Sequence, residues 1–181
     1  MTDSPETRPH DQPPIANEAA AGTAETVDEL QLGFFGNPKI KLDERNRLKM
    51  PTEFKTFIER KYGKEFNAFY ITSQDGGSAE IYPLPEWQQR VAKIQTLPPS
   101  HAVRVKLMAL NNLYGGRGDM DSQGRMSFPE ELQQTAELTG EVKVLGEGTF
   151  LRVTSLKKLR EAVKANPLTA EEIDSLAALG L

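Results

Sequence analysis

A twelve-residue pattern occurs twice in this chain, and its repetition limits the possible folds more than any other property of the sequence. The first copy spans Asp43 to Phe54 and the second spans Asp121 to Leu132. Aspartate, arginine, proline and glutamate recur at the same offsets, and three further positions are apolar in both copies. Such repetition indicates two similar supersecondary units that pack against each other.

Each copy has the pattern of a strand, a turn, a second strand and a helix. Ile40 and Leu42 alternate with lysines, which is the period of a half-buried strand. Asn46 and its counterpart Gly124 both tolerate a positive φ, which predicts a tight turn. The proline of each copy suits the start of a helix, because it has no amide hydrogen to satisfy. The sequence therefore predicts a mixed α/β (α+β) protein with two β-hairpin-plus-helix halves.

Composition divides the chain into four segments. Residues 1–32 are acidic, rich in proline and alanine and poor in large apolar residues, so they are predicted to be disordered. Residues 33–113 contain the first repeat and two linking helices, and residues 114–165 contain the second repeat. Residues 166–181 are predicted to form an amphipathic helix that either docks on the body or on a neighbouring subunit, or frays.

Helical spacing also predicts which linking residues are buried. Trp87 lies on the apolar face of a helix that Pro85 opens, and it is expected to be in the core. The next helix is predicted to bury Val103, Leu107 and Leu110.

Charge is distributed unevenly along the chain. The net charge is −4, but residues 1–31 hold seven of the 26 acidic residues and one of the 22 basic residues. The remainder therefore has 19 acidic and 21 basic residues, and positive charge is concentrated on the first repeat. A local basic surface of this kind supplies affinity for phosphates. The acidic tail is either an inert leader or a competitor of DNA for that surface.

The sequence offers little for catalysis. His10 and His101 lie far from plausible partners, and Gly115 to Gly118 lack the spacing of a phosphate-binding loop. The absence of cysteine excludes disulfides and thiolate metal sites, and no apolar run is long enough to cross a membrane. We therefore expect no enzyme, cofactor, metal or small-molecule substrate, no membrane contact, and a cytoplasmic location.

The first hairpin is the candidate DNA contact. Alternation places its apolar residues inside and its basic residues on the opposite face, and a two-stranded ribbon fits the major groove. Lysines can neutralise phosphates, and an arginine can reach a guanine edge with two hydrogen bonds. The candidate DNA-binding residues are Lys39, Lys41, Arg45, Arg47 and Lys49. Alternatively, the lysines only solvate the outer face and Arg47 pairs with Asp43 to hold the turn.

The second hairpin is expected to be the weaker contact, because its outward positions have little net positive charge. There Arg125 is predicted to pair with Asp121 in a structural role.

These residues resemble the MraZ family of bacterial transcriptional regulators. The resemblance rests on two Asp-x-x-x-Arg motifs, Asp43/Arg47 and Asp121/Arg125, each followed by an apolar strand, a proline and a helix. The segments 34–36, 81–87 and 113–116 also fit the family's pattern. Asn46 departs from it, since the family usually has glycine there.

The resemblance implies an AbrB-like swapped-hairpin fold with a small barrel-like core. It also implies a ring-shaped homo-oligomer on the nucleoid. Such a ring would bind short direct repeats and repress a division and cell-wall gene cluster that includes its own operon. The alternative is a ring-forming scaffold that binds a protein partner without recognising specific DNA.

Overall fold

The computed structural model of the chain describes residues 33–180, which form a mixed α/β fold as predicted. The acidic tail over residues 1–32 and the last residue lie outside the described residues, and so do the expectations about that tail. The strands are β1 (Lys39–Lys41), β2 (Leu48–Lys49), β3 (Ala68–Thr72), β4 (Ala79–Pro83), β5 (Gly116–Asp119), β6 (Arg125–Met126), β7 (Glu141–Gly146) and β8 (Leu151–Ser155). The helices are α1 (Thr52–Tyr62), α2 (Leu84–Gln95), α3 (Ala102–Tyr114), α4 (Glu130–Thr135), α5 (Leu156–Ala165) and α6 (Ala170–Ala178).

The two halves exchange strands. Six strands form an antiparallel sheet in the order β1-β7-β8-β4-β3-β5, and β2 pairs with β6 in a separate two-stranded sheet. In register, Ile40 of β1 lies opposite Val142 of β7, and Phe69 of β3 lies opposite Gly118 of β5. The first strand of each half therefore pairs with the other half.

This pairing corrects the predicted hairpins. The strands β1 and β2 do not pair with each other, because β1 belongs to the six-stranded sheet and β2 to the two-stranded sheet. The antiparallel pair that the first half does contain is β3 with β4. Strands of three and two residues cannot bury an apolar face as an isolated hairpin, whereas a shared six-stranded sheet can. The predicted barrel is also wrong, because β1 and β5 are the two edges of the sheet and residues 33–180 contain no closed barrel.

The apolar positions of the repeat form the centre of the core. None of the six is more than 6% exposed, and they pack with inward residues of the sheet. They are Leu48, Met50, Phe54, Met126, Phe128 and Leu132. The predicted inward face of the first repeat is therefore confirmed at Leu48 and Met50, and also at Leu42, whereas Ile40 is only half-buried against the core.

Trp87 is buried as predicted. Its ring stacks on that of Tyr70 with centroids 4.1 Å apart and lies tilted against the ring of Tyr82. Glu86 of the same helix accepts hydrogen bonds from Lys61 and Tyr62, at 2.9 and 2.7 Å, which fixes α2 against α1.

The predicted burial of α3 is wrong. No residue of α3 is fully buried, Val103 is 51% exposed, and Leu107 and Leu110 are only half-buried. The helix contacts the body through hydrogen bonds and its last residue: Thr72 donates to Asn111 at 2.9 Å, and Arg104 donates to the carbonyl of Leu97 at 2.6 Å. The ring of Tyr114 packs against the core. The apolar residues of α3 are distributed around its whole circumference, so the side that contacts the body cannot bury all of them.

The C-terminal helix begins as predicted but remains largely exposed. Thr169 accepts from the amide of Glu172, and the Glu172 carboxylate accepts from the amide of Thr169, which completes a capping box. Every residue of α6 is exposed except Leu176, which is half-buried. None of the helices within residues 33–180 is both long and apolar enough to span a membrane.

Candidate functional site

The turns of the two repeats lie side by side. Both have the predicted positive φ, which is 53° at Asn46 and 75° at Gly124. Each turn closes through the same backbone bond, from Asp43 to the carbonyl of Arg47 at 3.2 Å and from Asp121 to that of Arg125 at 2.8 Å. We call the residues of these two turns, together with Lys41, the two-turn surface.

Each aspartate stabilises its own turn. One carboxylate oxygen of Asp43 accepts from the amides of Arg45 and Arg47, both at 2.9 Å. Asp121 accepts in the same way from the amides of Gln123 and Arg125, at 2.9 and 2.8 Å. These are Asx-type turns, in which a side chain replaces a backbone acceptor.

The same hydrogen bonds lower the pKa of both carboxyl groups. The amide of Arg47 is the largest influence that holds the pKa of Asp43 below its ordinary value of 3.8, and the Arg47 side chain adds to it. The amide of Arg125 has the same role for the pKa of Asp121. Both carboxylates are therefore charged at neutral pH.

Arg47 joins the two turns. Its Nε and Nη2 contact Asp43 Oδ2 at 2.9 and 2.8 Å, and its Nη1 lies 3.6 Å from Asp121 Oδ2. The Arg47 side chain is 24% exposed, so it is half-buried between the two carboxylates. The pairing of Arg47 with Asp43 that the sequence left open is therefore present, and it extends to the second repeat.

Arg125 differs from its expected role. Its backbone amide, and not its guanidinium, bonds to Asp121. The guanidinium forms no ion pair within residues 33–180, although its charge helps to lower the pKa of Asp121.

The predicted DNA-binding residues divide into paired and unpaired cations. Lys39 forms an ion pair with Glu141 at 2.8 Å. Lys49 lies opposite Arg125 across the β2–β6 pair, so their side chains are neighbours on one face. In the part of the chain that the structure describes, four predicted site residues form no ion pair: Lys41, Arg45, Lys49 and Arg125.

The two-turn surface surrounds an open depression of about 800 Å³. Its charged lining has four cations, from Lys41, Arg45, Arg47 and Arg125, and three carboxylates. Ser122 and Gln123 also line it, and sequence reasoning missed both. The signal was present in the repeat, since Gln123 occupies the offset that Arg45 has in the first copy.

The side chains of this surface are donors and acceptors of hydrogen bonds. Guanidinium groups can donate paired hydrogen bonds to phosphate oxygens or to a guanine edge, and Gln123 offers an amide of the kind that reads adenine. No group of three or more histidine, aspartate or glutamate residues within residues 33–180 is arranged to hold a metal ion.

Comparisons with known proteins identify the family of the chain. No protein-family model matches the chain. A protein of Acidobacterium capsulatum named transcriptional regulator MraZ is 39% identical over 148 residues, which cover 82% of this chain and 99% of that protein. A protein of the same name from Koribacter versatilis is 38% identical over the same shares, and one from Herpetosiphon aurantiacus is 26% identical over 80% of this chain and 94% of its own length. The resemblance seen in the repeated motifs is thereby confirmed, and the chain belongs to the MraZ family.

Proposed function

We propose that this chain is a transcriptional regulator that recognises specific double-stranded DNA through the two-turn surface. The observation that carries the proposal is the contact of Arg47 with Asp43 and Asp121, which holds two turns together while Arg45 and Arg125 remain unpaired. The name shared by the relatives, transcriptional regulator, supports the same function.

The geometry favours different roles for the cations. Arg47 orients the turns, because its guanidinium is already engaged by two carboxylates. Arg45 and Arg125 are free to donate to base edges, and Lys41 and Lys49 are free to neutralise phosphates. Both repeats therefore contribute to a single contact with DNA.

The proposed assembly is a ring-shaped homo-oligomer that binds short direct repeats. A single contact of this size binds weakly, and several identical contacts on one ring would raise the overall affinity by effective concentration. The exchange of strands between the halves supports a place in the AbrB-like swapped-hairpin class. On this proposal the ring acts in the cytoplasm, on the nucleoid, and represses a division and cell-wall gene cluster that includes its own operon.

The second candidate function is a scaffold that binds a protein partner without specific DNA recognition. The exposed apolar residues of α3 and α6 favour it. A salt titration separates the two candidates, because DNA binding weakens steeply as salt rises.

The test compares Arg47→Ala with Arg125→Ala. Binding is measured by fluorescence anisotropy on a duplex from the region upstream of this chain's own gene and on a random duplex of equal length. Arg47→Ala should abolish the preference for the specific duplex, because both turns lose their common support. Arg125→Ala should weaken binding less, by about fivefold to 160-fold, the range for one arginine–base contact of roughly 1–3 kcal/mol.

Arg47→Lys is the matched control, since it keeps the charge but cannot contact both carboxylates with a planar fork. It should retain weak binding to both duplexes without the preference. The oligomeric mass of each variant is measured by light scattering and should equal that of the unmodified protein. Dissociation of the oligomer by Arg47→Ala would assign the residue to assembly and contradict the proposed site.

A further inference from the structure

Two helices of this chain have apolar faces that the described fold leaves in solvent. On α3, Val105, Met108 and Leu113 are 53%, 44% and 53% exposed. Ile173 of α6 and Leu179, the residue that caps its C-terminal end, are 52% and 75% exposed. Exposed apolar surface of this extent on neighbouring helical turns indicates a site of association.

The two faces have opposite charge. The helix α3 contains two basic residues, Arg104 and Lys106, and no acidic residue. The helix α6 contains three acidic residues and no basic residue, namely Glu171, Glu172 and Asp174. Apolar faces with complementary charge can pack together with the charged groups paired at the edge, while contacts between two copies of the same helix bring like charges together.

We propose that α6 of one copy packs on the exposed face of α3 of a second copy. The described chain does not cover its own α3 with its own α6, because both faces are exposed in it. An isolated helix of nine residues is marginal in water, so α6 needs a partner surface even with its capping box. The acidic character of α6 disfavours an anionic membrane as that partner.

The inference deepens the proposed function, since it names a contact that would build the homo-oligomer. In the proposed ring each copy gives its α6 to one neighbour and receives the α6 of the other neighbour, so the contact is head-to-tail and not a reciprocal exchange within a dimer. A head-to-tail contact produces a closed ring when the rotation between copies closes, and a filament when it does not.

Disulfide trapping tests the contact directly, because the natural chain contains no cysteine. A Met108→Cys chain and an Ile173→Cys chain with different tags are co-expressed, oxidised and separated without reductant. The expected product is a disulfide-linked pair that carries both tags, formed at least tenfold faster than homodimers of either chain. The matched control pairs Ile173→Cys with Gln88→Cys, an exposed position of α2, and should give only background.

Charged substitutions provide the second measurement. Met108→Asp and Ile173→Asp alter exposed side chains, so the monomer should remain folded by circular dichroism. Each variant alone should lose the oligomer and sediment near 20.1 kDa. An equimolar mixture should form dimers, because it contains one intact α3 face and one intact α6 face.

Three results would overturn the inference. The unmodified chain could be monomeric at all concentrations, the aspartate variants could keep the full oligomeric mass, or a chain with both Met108→Cys and Ile173→Cys could form its disulfide within one copy. DNA binding of the same variants is measured separately, by fluorescence anisotropy. Trapping without specific DNA binding would refute the proposed function alone, and specific DNA binding without trapping would refute the α3–α6 contact alone.

Discussion

Two arginines at the same offset of the repeat have different partners. Arg47 contacts the carboxylates of both turns, whereas the guanidinium of Arg125 forms no ion pair within residues 33–180. The motif determines the conformation of each turn through the backbone bonds to its aspartate, and both turns follow it. The packing of the two turns determines which guanidinium lies between the carboxylates. Arg47 occupies that position, and the guanidinium of Arg125 stays outside it.

Acid should weaken the fold through these two turns. Folding lowers the pKa of Asp43 and Asp121, so the unfolded chain takes up protons first as the pH falls. The stability that the two carboxylates contribute is complete above their ordinary value of 3.8 and is lost as the pH falls through their lower folded pKa. We expect the free energy of unfolding, measured by urea titration, to fall below about pH 4.

The matched variant is Asp43→Asn with Asp121→Asn. It should be less stable than the unmodified protein at pH 7, and the difference should shrink toward pH 2. Glu65→Gln is the control, because its exposed carboxylate forms no ion pair within residues 33–180. A double variant that loses stability with pH as steeply as the unmodified protein would show that these carboxylates have no such role.

At the scale of the element, strand β1 contains one lysine with an ion-pair partner and one without. Lys39 pairs with Glu141 at 2.8 Å, and Lys41 forms no ion pair in the described part of the chain. A lysine that neutralises a phosphate releases a counterion, so its removal makes the salt dependence of DNA binding shallower. Lys41→Gln should lower the slope of log K against log salt by about 1, and Lys39→Gln should lower it less.

Both slopes are measured by anisotropy on the same duplex between low and moderate salt. Equal slopes for the two variants would mean that the pairing of Lys39 is broken when DNA binds, or that β1 does not contact phosphates.

The elements themselves were largely predictable, because local periodicity determines them. The alternation of the first repeat placed the buried side of β2, and the proline of each copy placed the start of its helix. The partners of the strands were not predictable in this way, since β1 pairs with residues of the second half. The prediction that α3 is buried failed for a related reason. Periodicity identifies an apolar face, but it does not show whether the same chain covers that face.

At the scale of the whole molecule, charge should regulate access to DNA. Residues 1–31 carry seven acidic residues and one basic residue, whereas the two-turn surface has more cations than carboxylates. We expect deletion of residues 1–31 to tighten DNA binding severalfold at low salt, because a competing negative charge is removed. The difference should vanish at high salt, where screening removes both interactions.

The control replaces the acidic residues of this segment with their amides at unchanged length. It should reproduce the effect of the deletion if charge is the cause. Unchanged affinity after deletion would leave the tail as an inert leader.

The candidate site was only partly predictable, because it is a property of the assembled chain. The sequence identified Asp43, Arg47, Asp121 and Arg125 from their offsets and ranked the two turns as a stronger and a weaker contact. The structure places both turns on one surface, a consequence of pairing β2 with β6. Only the packed molecule places Gln123 and Arg45 around the same depression.

The crossed pairing of the two halves also affects synthesis of the protein. When β1 emerges from the ribosome its neighbour β7 has not yet been translated, and the same holds for β3 and its neighbour β5. The nascent first half therefore carries open strand edges through most of elongation, and the sheet can be completed only after the second half has left the exit tunnel. Translation speed and chaperones that shield such edges would thus affect the yield of folded chain more strongly than they would for a protein whose halves mature one after the other.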